Sequence, residues 1–201
     1  MTYVKASVRR PAGNPGNGIQ PKDQLVIYDV DDILSFPQRN DAGVVIEDDI
    51  VMKAGRYAIG IYLTPGTAEI SSNSDGETDA EGYTPSVKFN HPGNEQEIRE
   101  FKTNWLSKKC IVVLRYCSGK PADLIGTPCN PCKLSVSYTG SNESNTNELT
   151  FTQISKGDDI AIYRGTDTLE EPVAVVEAGA TDIDYQTDGQ YQLSAGAAKI
   201  A

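Results

Sequence analysis

Apolar residues recur along the chain in short runs with a period of two, which is the pattern of half-buried β-strands. Segments rich in Gly, Pro, Asn and Asp separate these runs. The runs are Leu25 to Tyr28, Val44 to Ile46, Tyr57 to Leu63, Val87 to Phe89, Ile111 to Tyr116, Leu134 to Tyr138, Leu149 to Phe151 and Ile160 to Tyr163. Many short strands between turn signals predict a mainly β fold, either a sandwich or a barrel.

One segment has the period of an α-helix instead. We predict a helix over about residues 94–107, with Asn94 as its N-cap and acidic residues in its first turn. A single apolar stripe runs along it, formed by Ile98, Phe101, Trp105 and Leu106. We expect this stripe to pack the helix against one side of the β fold, with Trp105 as the anchor.

Two stretches are too long and too polar for simple hairpin turns, and long loops in compact domains are usually functional or disordered. One runs from Asp29 to Gly43 and the other from Thr64 to Gly82. The first holds apolar residues that need a surface to cover them, and the second is acidic. From these loops we select candidate inter-subunit contacts, namely Ile33, Leu34, Phe36, Pro37, Asp75 and Asp79.

The acidic loop also resembles a calcium site, because oxygen-bearing side chains alternate from Asn73 to Asp79. An EF-hand loop requires Gly at its sixth position, whereas Gly76 is the fourth residue counted from Asn73. A solvated or subunit-contacting loop is therefore the favoured interpretation, and we expect no metal.

The predicted organisation has three parts. Residues 1–23 are rich in Pro and Gly and form an N-terminal arm. Residues 24–155 form the β body with its helix. Residues 156–201 form a C-terminal β extension that ends in a hairpin around Asp188-Gly189.

Composition excludes several classes of function. The 201 residues contain 18 Lys+Arg and 28 Asp+Glu, a net charge of -10 that argues against a basic nucleic-acid reader. The N-terminus lacks the apolar segment of a signal peptide, and no apolar run is long enough to span a bilayer, so we expect cytoplasmic synthesis and no membrane. The one histidine, His91, lies in a turn-like sequence, so we expect no catalytic residues and no enzyme.

Four cysteines leave three alternatives open. Cys129 and Cys132 have the spacing of half a zinc site, but Cys110 and Cys117 do not supply the other half. Buried structural thiols are favoured, because a cytoplasmic protein keeps its thiols reduced, ahead of a zinc or redox role and of a disulfide formed later. We expect no cofactor.

Several local sequences occur together in an order that resembles the major tail tube proteins of tailed bacteriophages, particularly of siphoviruses and prophages of Bacteroides-type bacteria. These are the run from Tyr28 to Pro37, the Gly-bounded acidic loop, the Lys88-Phe89-Asn90-His91-Pro92-Gly93 entry to a single helix, and Leu124-Ile125-Gly126-Thr127-Pro128 before paired strands. The similarity covers roughly residues 24 to 163 and includes no catalytic motif.

The resemblance implies a two-sheet β-sandwich flanked by one helix. It implies hexameric rings whose inner sheets join into a barrel, and rings that stack through loops and arms into a tube. The implied partners are other copies of the chain, other phage tail proteins, and double-stranded DNA that passes through without sequence-specific binding. The implied location is the virion tail, after synthesis in the host bacterial cytoplasm.

Two other classes remain as alternatives. The first is another virion structural protein on the same sandwich, such as a tail terminator or a neck or baseplate component. The second is a carbohydrate-binding β-sandwich, which would need an exposed aromatic platform from among the chain's tyrosines. An enzyme is the least favoured, because no pair of carboxylates stands out.

Overall fold

The computed structural model describes residues 5–13, 16–117 and 119–169, and all of them fall within one compact unit. This part of the chain is mainly β, with one α-helix, α1 (Gln96–Trp105). The strands are β1 (Pro21–Asp29), β2 (Ile33–Ser35), β3 (Val45–Ile46), β4 (Val51–Met52), β5 (Ile59–Tyr62), β6 (Glu69–Asp75), β7 (Gly82–Pro92), β8 (Cys110–Tyr116), β9 (Ala122–Ile125), β10 (Cys132–Gly140), β11 (Asn145–Gln153) and β12 (Ala161–Tyr163). Within the described ranges, no helix has the length and apolar content needed to cross a membrane.

Each of the eight predicted runs coincides with a strand, so the mainly β prediction is confirmed. Four further strands, β2, β4, β6 and β9, were not predicted. The stretch from Thr64 to Gly82 is not one long loop, because β6 occupies its centre and pairs with β7. The stretch from Asp29 to Gly43 likewise contains a 3₁₀ turn and then β2, which pairs with β4.

Ten strands form one continuous hydrogen-bonded ladder that has two halves. The four-stranded half runs in the order β10-β11-β7-β6, with all neighbours antiparallel. The buried half runs in the order β5-β1-β8-β9-β12-β3. A single rung, Cys110 opposite Cys132, joins β8 to β10 and so joins the halves. The strand pairing therefore does not separate the ladder into the two independent sheets that we predicted.

The two faces of the buried half pack into different hydrophobic cores. We call these core 1, which contains Leu25 and Ile27 of β1, and core 2, which contains Val26 and Tyr28 of the same strand. β8 alternates in the same way. Because both faces are covered, the sequences of these strands are nearly uninterrupted apolar runs, as in a sheet with two packed faces.

Core 1 is shared by the two halves of the ladder and α1. The four-stranded half contributes Phe89 from β7 and Phe151 from β11, whose rings stack with centroids 6.3 Å apart. The helix contributes the buried Ile98 and the partly buried Phe101 and Trp105. The four-stranded half therefore has one face on core 1.

The helix differs from its prediction at both ends. Its N-cap is Glu95, which makes no side-chain capping bond, while the Asn94 side chain accepts a hydrogen bond from Lys102 Nζ at 2.9 Å. Leu106 is the C-cap and is 54% exposed, so it does not pack with the rest of the stripe. Successive side chains of an α-helix are about 100° apart around its axis. Because Leu106 directly follows Trp105, its side chain points away from the face on which Trp105 packs.

A buried polar cluster fixes residues 164–169 to core 2. The Tyr28 hydroxyl donates to Asp167 Oδ1 at 2.6 Å, and Arg115 Nε donates to the other carboxylate oxygen. The hydrogen bond to Asp167 raises the pKa of Arg115. Together with β12 this cluster places residues 156–169 in the same body as the preceding strands. The remainder of the predicted extension, including the hairpin around Asp188-Gly189, lies outside the described residues.

Candidate functional site: a polar sheet face with two free edges

The second face of the four-stranded half is polar, in contrast to the face on core 1. Strand alternation directs every second side chain to it. From β6 and β7 these are Glu69, Ser71, Asn73, Asp75, Thr84, Ser86, Lys88 and Asn90. From β11 and β10 they are Thr146, Glu148, Thr150, Thr152, Lys133, Ser135, Ser137 and Thr139. We call this set the polar face.

Charge on the polar face is sparse and nearly balanced. The set contains three acidic residues, Glu69, Asp75 and Glu148, and two lysines, Lys88 and Lys133, which sum to -1. Lys88 stands opposite Glu69 in the ladder, and its Nζ lies 3.2 Å from a Glu69 carboxylate oxygen. The remaining residues are Ser, Thr and Asn. The polar face is thus a hydroxyl-rich surface without an array of cations that could hold phosphate.

The outer edge of β10 is free beyond Cys132. Ile154 N–H donates to the Pro131 carbonyl at 3.0 Å, so odd-numbered residues of β10 direct their backbone groups towards β11. The even-numbered Leu134, Val136 and Tyr138 therefore direct N–H and C=O outwards. Across the residues that the structure describes, these outward groups have no hydrogen-bond partner.

The outer edge of β6 is free in the same way. Tyr83 N–H donates to the Gly157 carbonyl at 2.9 Å, on the β11 side, so even-numbered residues of β7 face β6. The register of β6 with β7 then directs the backbone groups of Ile70, Ser72 and Ser74 outwards. Within the described ranges these groups also lack a backbone partner.

Edges of the buried half are shorter, because β3 has two residues and β5 has four. Along β3, the Asn40 side-chain oxygen accepts hydrogen bonds from Val44 N–H at 3.1 Å and Val45 N–H at 3.2 Å. Within the described residues β5 pairs only with β1, so its other side is also free, although two hydrogen bonds hold the chain just beyond its ends. Ala58 N–H donates to the Thr168 carbonyl at 3.0 Å, and Thr64 N–H donates to the Asn90 carbonyl at 2.9 Å. Long free edges are therefore a property of the four-stranded half.

The predicted inter-subunit contacts lie on separate elements. Ile33 and Phe36 pack against core 2, and Pro37 is half-buried, so only Leu34, at 67% exposed, presents an open apolar side chain. These four residues flank or lie in the small β2–β4 sheet.

The two predicted acidic contacts belong to the β6–β7 hairpin. Asp75 is the last residue of β6, lies on the polar face and forms an ion pair with Lys156, with Nζ and the carboxylate oxygen 3.1 Å apart. Asp79 is exposed in the connecting turn, where its backbone adopts a left-handed conformation. Of the six predicted residues, Asp75 alone belongs to the polar face.

The prediction of buried thiols is confirmed for two of the four cysteines and is wrong for the other two. Cys110 and Cys132 are buried opposite each other as free thiols, and burial raises the pKa of Cys110 to about 12. Cys117 and Cys129 are exposed and also free.

His91 lies in β7, not in a turn, with its ring edge-on to Tyr62, and burial lowers its pKa. No group of His, Cys, Asp and Glu in the described part of the chain is arranged to hold a metal ion.

Comparisons of the chain with protein-family models, with curated proteins and with solved structures find no match. The fold and the site define a mainly β protein with an antiparallel sheet that has two free edges and a polar face. A functional argument therefore has to begin from this sheet.

Proposed function

We propose that the chain is a self-assembling structural protein of the tail tube type. Copies would join through the free edges of the four-stranded half into rings, and the rings would stack into the tube of a phage tail. The observation that carries this proposal is the pair of free edges, because unpaired backbone groups on a long strand are a template for another chain. Closure into a ring satisfies every such edge.

The directions of the two edge strands are compatible with a ring of copies related by rotation. The four-stranded half has an even number of antiparallel strands, so β6 and β10 at its two edges run in opposite directions. When copies are related by rotation about an axis, β6 of one copy therefore meets β10 of the next as an antiparallel neighbour. The alternation of the sheet continues without interruption from copy to copy.

The location of core 1 also supports the two-sheet β-sandwich that the resemblance implies. The four-stranded half covers one side of core 1, and β5, β1 and β8 of the buried half cover the other. Two layers around one core, joined by a single rung, correspond to a β-sandwich flanked by a helix. In a ring, the four-stranded halves would form the inner layer, with the polar face turned to the channel.

The polar face suits a DNA channel. Duplex DNA carries one negative charge per about 1.7 Å of axis, so rows of Lys and Arg on the wall would bind phosphates and slow translocation. The polar face has a net charge of -1, and Lys88 is paired with Glu69. DNA would pass along hydroxyl groups and their bound water without sequence-specific contact.

Electron microscopy of the purified protein over a concentration series, with light scattering for mass, tests the proposal. We expect rings or hollow tubes with regular axial striations. A single closed ring that never stacks would favour a tail terminator instead. A protein that stays monomeric at the highest concentration, with or without isolated tail tips as an initiator, would contradict the proposed function.

A further inference from the structure

The two free edges are similar in length, with seven residues in β6 and eight in β10 beyond Cys132. β6 directs the backbone groups of Ile70, Ser72 and Ser74 outwards, and β10 directs those of Leu134, Val136 and Tyr138 outwards, followed by Gly140 at its end. The side chains of the six residues other than Gly140 belong to the core face of the sheet. Pairing the two sets therefore keeps core face beside core face and polar face beside polar face across a junction between copies.

We propose that β6 of one copy pairs with β10 of the next copy in a single register, with Ile70 opposite Tyr138. This inference rests on the proposed function and specifies its interface. In this register Ser72 lies opposite Val136, and Ser74 lies opposite Leu134. Each of these pairs exchanges two backbone hydrogen bonds, so every outward group of β6 is satisfied.

Neighbouring registers fit less well. A shift of two residues in one direction places Ser74 opposite Cys132, whose outward side is already occupied by Cys110 of β8. A shift of two residues in the other direction places Ile70 opposite Gly140, which has no side chain, and places Asp75 opposite Ser135 instead of Lys133. Shifts of one residue would set the polar face of one copy beside the core face of the next.

Side chains complement each other in the proposed register. On the polar face, Asp75 at the end of β6 lies opposite Lys133 at the start of β10. This is a non-hydrogen-bonded pair, in which Cα atoms are about 4.5 Å apart and side chains are close. On the core face, the partly buried Ile70 meets the exposed ring of Tyr138. The junction thus combines an ion pair with an apolar contact.

The register also gives the sheet the stagger of a closed barrel. Within one copy, Ser135, Thr150, Lys88 and Glu69 form one row across the four strands. At the junction Glu69 meets Thr139 of the next copy, four residues further along β10. A displacement of four residues over four strands is one residue per strand. An eight-stranded barrel of shear 8 has the same ratio of shear to strand number, and its strands tilt by about 36° from the barrel axis.

Charge exchange tests the register through association. Asp75→Lys and Lys133→Glu each place like charges opposite one another, so each alone should weaken association about threefold to tenfold at low salt. The double variant should recover to within about twofold of the unmodified chain, because it restores the pair with reversed signs. Lys156→Ala is the matched control, since it removes only the partner of Asp75 within its own chain. Sedimentation velocity supplies the association constants, and failure of the double variant to recover would overturn the register.

Cysteine cross-linking provides a second test that does not depend on charge. Ser71 and Ser137 are opposite in the proposed register, so a chain with Ser71→Cys and Ser137→Cys, oxidised as assembled protein, should give covalent multimers. Ser71→Cys with Ser135→Cys, shifted by two residues, should give few. Both pairs are placed in a Cys117→Ser, Cys129→Ser background, which removes the exposed thiols.

The outcomes separate the two proposals. Tubes that cross-link through the shifted pair would overturn the register while the proposed function stands. Absence of any assembly by the unmodified chain would overturn both.

Discussion

The two halves of the ladder have the same kind of backbone pairing but different surroundings. In the buried half, β1 and β8 send alternate side chains into core 1 and core 2, and both faces are covered. In the four-stranded half only one face is covered, and the other is a surface of Ser, Thr and Asn. The difference is one of exposure, because both halves contribute to core 1 and the four-stranded half carries in addition a broad polar surface.

Edge chemistry follows the same division. Asn40 uses its side chain to occupy the outer backbone groups near β3, which is a common way to prevent unwanted strand addition. Comparable protection is not found along β6 or β10 within the described residues. The chain therefore protects the edge at β3 and leaves long edges open at β6 and β10, which is where our proposal joins one copy to the next.

The largest expected effect separates the two faces of one strand. Phe151→Ala removes a ring that is fully buried in core 1, so we expect the free energy of unfolding to fall by about 3–5 kcal/mol. Thr150→Ala, its neighbour on the polar face, should change it by less than about 1 kcal/mol. Chemical denaturation at low protein concentration measures both. Equal losses would show that the polar face also supports the fold.

The next effect concerns the buried cluster at Asp167. Asp167→Ala removes the carboxylate that Arg115 and the Tyr28 hydroxyl contact, and the Asp167 side chain is only 5% exposed. We expect a loss of about 3 kcal/mol, as for a broken buried ion pair. Glu47→Ala breaks the pair with Arg164, in which both side chains are about half exposed, and should cost less than about 1 kcal/mol. Thermal melts of the two variants, run side by side, check the difference.

Assembly should depend on a backbone group that the fold does not use. Ser74→Pro removes an outward N–H from the edge of β6, and proline is tolerated at such positions because no ladder bond within the chain is lost. We expect association to weaken about tenfold, with the melting temperature little changed, because one interface bond is removed at each junction. Ser74→Ala keeps the N–H and should assemble normally. Tubes of ordinary length and stability from the proline variant would argue against joining through β6.

Charge on the polar face can be altered without touching the core. Glu69→Lys with Glu148→Lys changes the polar face from -1 to +3, because each reversal adds two charges. Below the assembly concentration, we expect this variant to bind labelled duplex DNA with an affinity that falls steeply with salt, whereas the unmodified chain should not bind. Fluorescence anisotropy measures both. Lys88→Arg with Lys133→Arg, which preserves charge, is the control and should behave like the unmodified chain.

The sequence predicted eight of the twelve strands in the described residues, and it missed β6, which has one apolar residue, together with the short strands β2, β4 and β9. The run from Leu25 to Tyr28 is recognisable as a strand, although a period of two did not reveal that Val26 and Tyr28 face a second core. β6 was taken for an acidic loop because Ile70 is its single apolar residue, which is typical of an edge strand with one polar face. Free edges depend on which strands pair, and that information arises only from the tertiary fold.

Candidate contacts were harder to predict for the same reason. An apolar residue in a loop has either a neighbour in its own chain or a partner elsewhere, and sequence does not distinguish the two. Phe36 packs on core 2, whereas Leu34, two residues earlier, stays exposed. Asp75 was selected for its acidity, but its place on the polar face follows from its position at the end of β6.

The smallest expected effect is a pH dependence in the buried half. Burial raises the pKa of Asp123 in β9, more than the hydrogen bond from the Tyr116 hydroxyl lowers it. The folded state therefore holds this proton more tightly than the unfolded state, and the stabilisation is present below the unfolded pKa of about 3.9 and is lost as pH rises through the folded value. The Asp123→Asn variant has no carboxyl group at this position and does not lose this stabilisation. Its free energy of unfolding, relative to that of the unmodified chain, should therefore rise between about pH 4 and pH 7. Parallel denaturation curves at several pH values measure this difference, and a constant difference across the range would show that Asp123 ionises in the folded chain as it does in water.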